Sequence, residues 1–90
     1  MVVNKEYGYA KKYAGIVSLR LKEYDKALMY FSMIESDTSY SNWGKFYKAL
    51  TLLERDKKGD IEAAKILLQQ VRDNELEGKK EAEEWLKKID

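Results

Sequence analysis

Two stretches of this 90-residue chain carry the same pattern of apolar side chains, 37 positions apart. The first reads Tyr24-x-x-Ala27-x-x-x-Phe31-x-x-Ile34, and the second reads Ile61-x-x-Ala64-x-x-x-Leu68-x-x-Val71. Steps of three and four residues place each set on one face of a helix. A helical unit that recurs predicts a fold built from similar units in series.

The residues before each copy also correspond. Ala14-Gly15 matches Ala49-Leu50 at a distance of 35, which places a two-residue insertion in the turn at 54–58. A third, partial copy matches the start of the second at a distance of 36, with Ala82, Trp85, Leu86 and Ile89 repeating Phe46, Ala49, Leu50 and Leu53. The pattern predicts two helix pairs followed by a single helix.

Helical spacing continues through almost the whole chain, and period-two alternation is nowhere sustained. The first predicted helix runs from about Asn4 to Leu21, with Ala10, Ala14, Val17 and Leu21 on one face. The others cover about 27–34, 43–53, 60–72 and 78–89, and Asp60 is a suitable N-cap for the fourth. We therefore predict an all-α fold of about five helices.

The motif Gly15…Tyr24-Asp25-Lys26-Ala27-Leu28-x-x-Phe31 resembles the glycine, aromatic, alanine and aromatic signature of the tetratricopeptide repeat family. Segment 59–65 is similar to that family's central turn and second helix. The resemblance implies antiparallel helix pairs stacked as a right-handed α-solenoid in a single domain, with repeats at about 8–41 and 43–76 and a capping helix at about 78–89. Small residues such as Ala27 and Ala64 would then lie at close helix crossings.

The chain departs from the family pattern in two respects. The tryptophan near the start of each pair is replaced by Lys11 in the first repeat and by Phe46 in the second. The proline that closes each unit is missing near Ser39 and near Glu75. The repeats are therefore degenerate.

The composition argues against catalysis. The chain has no histidine and no cysteine, which removes thiol nucleophiles, imidazole bases, disulfides and nearly every zinc site. Carboxylate pairs such as Glu81 and Glu84 lie in highly charged stretches typical of a solvated helix face, and Ser18 has no histidine to activate it. We predict no enzymatic activity, no cofactor and no bound metal.

The charge pattern limits the partners. The net charge is +1, and lysines and arginines alternate with acidic residues rather than gathering on one face, which disfavours nucleic acid binding. No stretch approaches the ~20 apolar residues of a membrane span. If Met1 is the native start, the absence of a signal peptide favours a cytoplasmic protein.

In the family, the first helix of each pair lines a concave groove that holds peptides. By this register the resemblance predicts partner contacts at Tyr9, Lys12, Tyr13, Ile16, Arg20, Tyr47, Thr51 and Arg55. Further groove positions in the same register are Leu19, Lys48, Glu54, Lys80, Glu83, Glu84 and Lys87. The aromatic residues would supply apolar area, and the basic residues would select an acidic or extended ligand. The family's carboxylate clamp is incomplete, so binding of chaperone tails is not predicted.

Self-association is the alternative function. Tyr9, Tyr13 and Ile16 are apolar yet lie off the Ala10-Ala14-Val17 face, where a solvated monomer has no use for them. They would bind a partner, pack on a second copy of the chain, or be covered by further repeats of a longer parent protein.

Overall fold

In a computed structural model of the chain, residues 5–36 and 43–89 are described, with side chains from Ala10 onward. Five helices form this part: α1 (Lys5–Arg20), α2 (Tyr24–Glu35), α3 (Gly44–Arg55), α4 (Asp60–Asp73) and α5 (Lys79–Ile89). No strand occurs among these residues. The prediction of an all-α fold with five helices is confirmed.

Several helices end without glycine or proline. Lys22, Asp56 and Glu75 adopt left-handed backbone conformations, with φ of 63°, 53° and 53°. After α1 the Glu23 N–H donates to the Ser18 carbonyl, and after α4 the Leu76 N–H donates to the Val71 carbonyl. Both are six-residue closing bonds that satisfy terminal helix carbonyls. A single left-handed residue therefore closes each of these two helix ends.

Each helix packs on the next one in the chain, from α1 on α2 through to α4 on α5. One core cluster centres on Ala27, Phe31 and Ile34 of α2. The larger cluster joins α3, α4 and α5 through Phe46, Ala49, Leu52, Ala64, Leu68, Val71, Ala82 and Leu86. The two apolar patterns noted in the sequence supply six of these eleven buried side chains, whereas Ile61 of the second pattern is exposed.

An acidic side chain at the end of α2 links that helix to α3. The Glu35 carboxylate accepts hydrogen bonds from Lys45 Nζ at 2.6 Å and from Lys48 Nζ at 2.8 Å. Burial by itself would raise the pKa of Glu35, but the two lysine hydrogen bonds outweigh burial, and the pKa is lowered. The carboxylate therefore stays charged at this helix contact.

Equivalent positions in α1 and α3 are 34 residues apart, so the 35-residue spacing inferred from the sequence is wrong by one. At a spacing of 34, buried Gly15 pairs with buried Ala49, and left-handed Lys22 pairs with left-handed Asp56. One residue of offset turns a helix by about 100°. The inward side of α1 carries Gly15 and Ser18, whereas Val17 and Leu21 are exposed.

Candidate binding groove

An open groove of about 680 Å³ lies between α1, α3 and α5. Its lining combines apolar side chains with charged ones from helix ends and turns, namely Leu19, Arg20, Lys22, Leu50, Leu53, Glu54, Asp56, Ile61 and Trp85. Of the lining residues, only Ile61 belongs to α4 and none belongs to α2. A ligand in this groove would contact α1, α3 and α5 together.

The charged residues of the groove come from the ends of α1 and α3 and from the turns that follow them, with opposite charge on the two sides. Arg20 and Lys22 lie on the α1 side, and Glu54 and Asp56 lie on the α3 side. Arg20 is equivalent to Glu54, and Lys22 is equivalent to Asp56, because each pair is 34 residues apart. Each cation on the α1 side therefore corresponds to an anion on the α3 side. Between these two sides, the lining residues Leu19, Leu50, Leu53 and Trp85 are apolar. This arrangement favours a ligand with an apolar centre flanked by an acidic and a basic group.

Trp85 brings α5 into the groove. Its indole packs partly against the larger core cluster, and Lys88 Nζ lies 5.0 Å from the ring centroid, within cation–π range. Leu50, Leu53 and Trp85 were not among the predicted contact residues. The signal that identifies Leu50 and Leu53 is the 34-residue spacing, which makes them equivalent to Ile16 and Leu19.

Of the predicted contacts, Arg20 lies in the groove, whereas Tyr47 takes part mainly in internal packing. The Tyr47 ring stacks on Phe31 at 5.2 Å between centroids and also approaches Trp43 and Phe46. Lys12 Nζ lies 5.7 Å above the same ring. Burial raises the pKa of Tyr47, and the negative charge of Glu81 adds to this effect. Ile16 packs on the cluster around Phe31.

Thr51 and Arg55, both predicted contacts, do not line this groove. Thr51 is fully buried, and its hydroxyl donates to the Tyr47 carbonyl at 2.8 Å. Arg55 instead reaches two carboxylates, those of Asp60 and Asp25. With the 34-residue spacing, Leu50 and Glu54 are the equivalents of Ile16 and Arg20. Glu54 and Leu19, which were also predicted groove positions, do line the groove.

Tyr13 does not line the groove. It is exposed and borders a shallow depression with Val17, Leu21 and Tyr30. The Tyr9 side chain is outside the described residues, so its predicted contact stays a prediction. Sequence reasoning therefore combined residues from two separate surfaces into one site.

In the described part of the chain, no group of three or more acidic, histidine or cysteine side chains is arranged to hold a metal ion. The same residues contain no helix with the length and apolarity needed to cross a bilayer. Comparison with protein-family models, curated proteins and solved structures finds no match to this chain.

Proposed function

We propose that this chain is a non-catalytic protein-interaction module that binds a peptide or partner protein in the groove between α1, α3 and α5. The observation that carries the proposal is a mainly apolar lining with two basic residues on the α1 side and two acidic residues on the α3 side. The groove volume of about 680 Å³ lies within the range of about 300–1,000 Å³ typical of ligand pockets.

We further propose that the helices form tetratricopeptide-like pairs stacked as a right-handed solenoid. Three observations support this architecture: each helix packs on the next, α1 and α3 have equivalent positions 34 residues apart, and Gly15 admits close contact with Phe31. The charged outer side of α5 suits a terminal cap, because the last unit of a stack must face water.

In the proposed binding mode, Leu53 and Trp85 give apolar contact area, while the charged residues of the two sides orient the ligand. Acidic groups of the ligand would lie near Arg20 and Lys22, and basic groups near Glu54 and Asp56. Aromatic residues at the centre of an interface often contribute about 2 kcal/mol or more when truncated. Charges at the edge act mainly on the association rate and its salt dependence.

The test begins with peptides selected from a random library on the wild-type chain. Their affinity is then measured by calorimetry for Arg20→Glu and Glu54→Lys, both at exposed positions of the groove edge. We expect each variant to weaken binding by about tenfold, equivalent to about 1.4 kcal/mol. Lys87→Glu and Glu62→Lys, exposed positions outside the groove, are the matched controls. Equal losses in the edge and control variants would exclude the groove.

Self-association is the second candidate function. The observation that favours self-association is the exposed apolar side of α1, which carries Tyr13, Val17 and Leu21 and is separate from the groove.

A further inference from the structure

One side of α1 exposes three large apolar residues in a row. Tyr13, Val17 and Leu21 are 63%, 52% and 64% exposed, and steps of four residues place them side by side along the helix. Tyr30 of α2 borders the same depression. Single exposed apolar residues are common, but a contiguous patch marks an interaction surface. We call these three residues the α1 end face.

The equivalent side of α3 is covered. Counting 34 positions from the α1 end face leads to Tyr47, Thr51 and Arg55. The Tyr47 ring stacks on Phe31 of α2, Thr51 is fully buried, and Arg55 is ion-paired. In α1, valine replaces this threonine and leucine replaces this arginine. The α1 end face therefore corresponds to a surface of α3 that packs within the fold. It is more apolar than that surface of α3.

The opposite end of the chain does not complement the α1 end face. The outer side of α5 presents Glu83 and Lys87 beside Arg72. Packing the α1 end face of one copy on this surface would remove charges from water without apolar contacts in return. Head-to-tail stacking of copies is therefore disfavoured.

The border of the α1 end face contains charges of both signs. Glu23 and Lys26 lie beside it, with Lys26 Nζ 3.5 Å from the Glu23 carboxylate. A two-fold axis brings the same patch of two subunits together, so an apolar patch bordered by one anion and one cation can complement itself. We propose that the α1 end face is a homodimer interface on which a second copy of the chain packs the same face.

The size of the face sets the strength of the dimer. The face extends about 12 Å along α1 from Tyr13 to Leu21, and together with the adjacent α2 it is about 20 Å wide. The resulting area, of the order of 250 Å² per subunit, is much smaller than the ~800 Å² of a standard stable interface. The dimer is therefore weak and reversible, with a dissociation constant in the micromolar range or above.

The experiment is sedimentation equilibrium of the full chain from about 10 μM to about 1 mM, compared with two lysine variants. Wild-type mass should rise with concentration toward twice the mass of one chain. Val17→Lys should raise the dimer dissociation constant at least about tenfold, because it places a charge at the centre of the face. Ile66→Lys is the matched control, since Ile66 is 55% exposed on α4, and should dimerise like the wild type.

Amide chemical shifts recorded over the same dilution series locate the interface. We expect the concentration-dependent shifts to fall on α1 around Tyr13–Leu21 rather than on the groove residues Leu50 and Leu53. The proposal is overturned if the wild type stays monomeric at about 1 mM, if both lysine variants weaken the dimer equally, or if the shifts fall in the groove. Far-ultraviolet circular dichroism of each variant verifies that it remains folded.

Discussion

The Arg55 guanidinium binds both carboxylate oxygens of Asp60, with Nε 2.8 Å from Oδ2 and Nη2 2.9 Å from Oδ1. Asp60 Oδ2 also accepts a hydrogen bond from the Lys57 backbone N–H at 2.9 Å. The pair links Arg55, the last residue of α3, to Asp60, the first residue of α4. Bidentate bonds of this kind are among the strongest that a carboxylate makes.

The Arg55–Asp60 pair makes stability depend on pH. The hydrogen bonds from Arg55 lower the pKa of Asp60 from 3.8 to about 2. A carboxyl group with a lowered pKa in the folded state stabilises the fold above its unfolded pKa, so this contribution is complete above about pH 4 and is lost between about pH 4 and 2. We expect Asp60→Asn to lower the melting temperature at pH 7. Between about pH 4 and 2, the melting temperature of this variant should fall less with decreasing pH than that of the wild type.

Thermal melts of the wild type and Asp60→Asn from neutral to acidic pH measure this effect. Asp56→Asn, an exposed position in the same turn, is the control. Glu35 and Asp73 also have lowered pKa values, so part of the acid dependence remains in the variant. Melting curves for Asp60→Asn that run parallel to the wild type over the whole pH range would contradict the role of the pair.

The left-handed backbone at Glu75 gives a second prediction. A non-glycine residue in this conformation costs roughly 1–2 kcal/mol, because its Cβ approaches the following carbonyl oxygen. Glu75 is exposed at φ 53°, so Glu75→Gly should raise the free energy of unfolding by about 1 kcal/mol. Urea unfolding measures the change. Glu77→Gly, in the same turn without positive φ, should not stabilise the chain, and an equal gain there would contradict the explanation.

The helices and most of the core could be predicted from the sequence, whereas the groove could not. Ala27, Phe31 and Ile34 were identified because the apolar spacing of α2 marks its buried side. In α1 the same reasoning selected Val17 and Leu21, which are exposed. The groove depends on the register between α1 and α3, which is set by where each helix ends. Lys22 and Asp56 mark those ends by their backbone conformation, and neither residue type signals it. The register was therefore one residue off, and Thr51 was assigned to the groove in place of Leu50.

The contact between α4 and α5 should contribute strongly to stability. Leu86 is buried in the same cluster as Leu68 and Val71 of α4. Leu86→Ala removes apolar contacts and leaves a cavity, a change that typically costs about 2–5 kcal/mol. Chemical denaturation measures the loss. Ile66→Ala, at an exposed position of α4, should stay within about 0.5 kcal/mol of the wild type. Similar losses for the two variants would show that α5 is not part of the core.

Replacing Gly15 with alanine should destabilise the chain, although alanine normally favours a helix by about 1 kcal/mol over glycine. A Cβ at Gly15 would lie 2.5 Å from Phe31 Cε1, and Phe31 is fully buried and cannot move aside freely. Overpacking of this kind typically costs about 1–3 kcal/mol. The double variant Gly15→Ala/Phe31→Leu makes room for the methyl group, so its free energy of unfolding should exceed the value expected from adding the two single changes. Additive losses, or a stabilised Gly15→Ala variant, would contradict a close approach of α1 to α2 at this point.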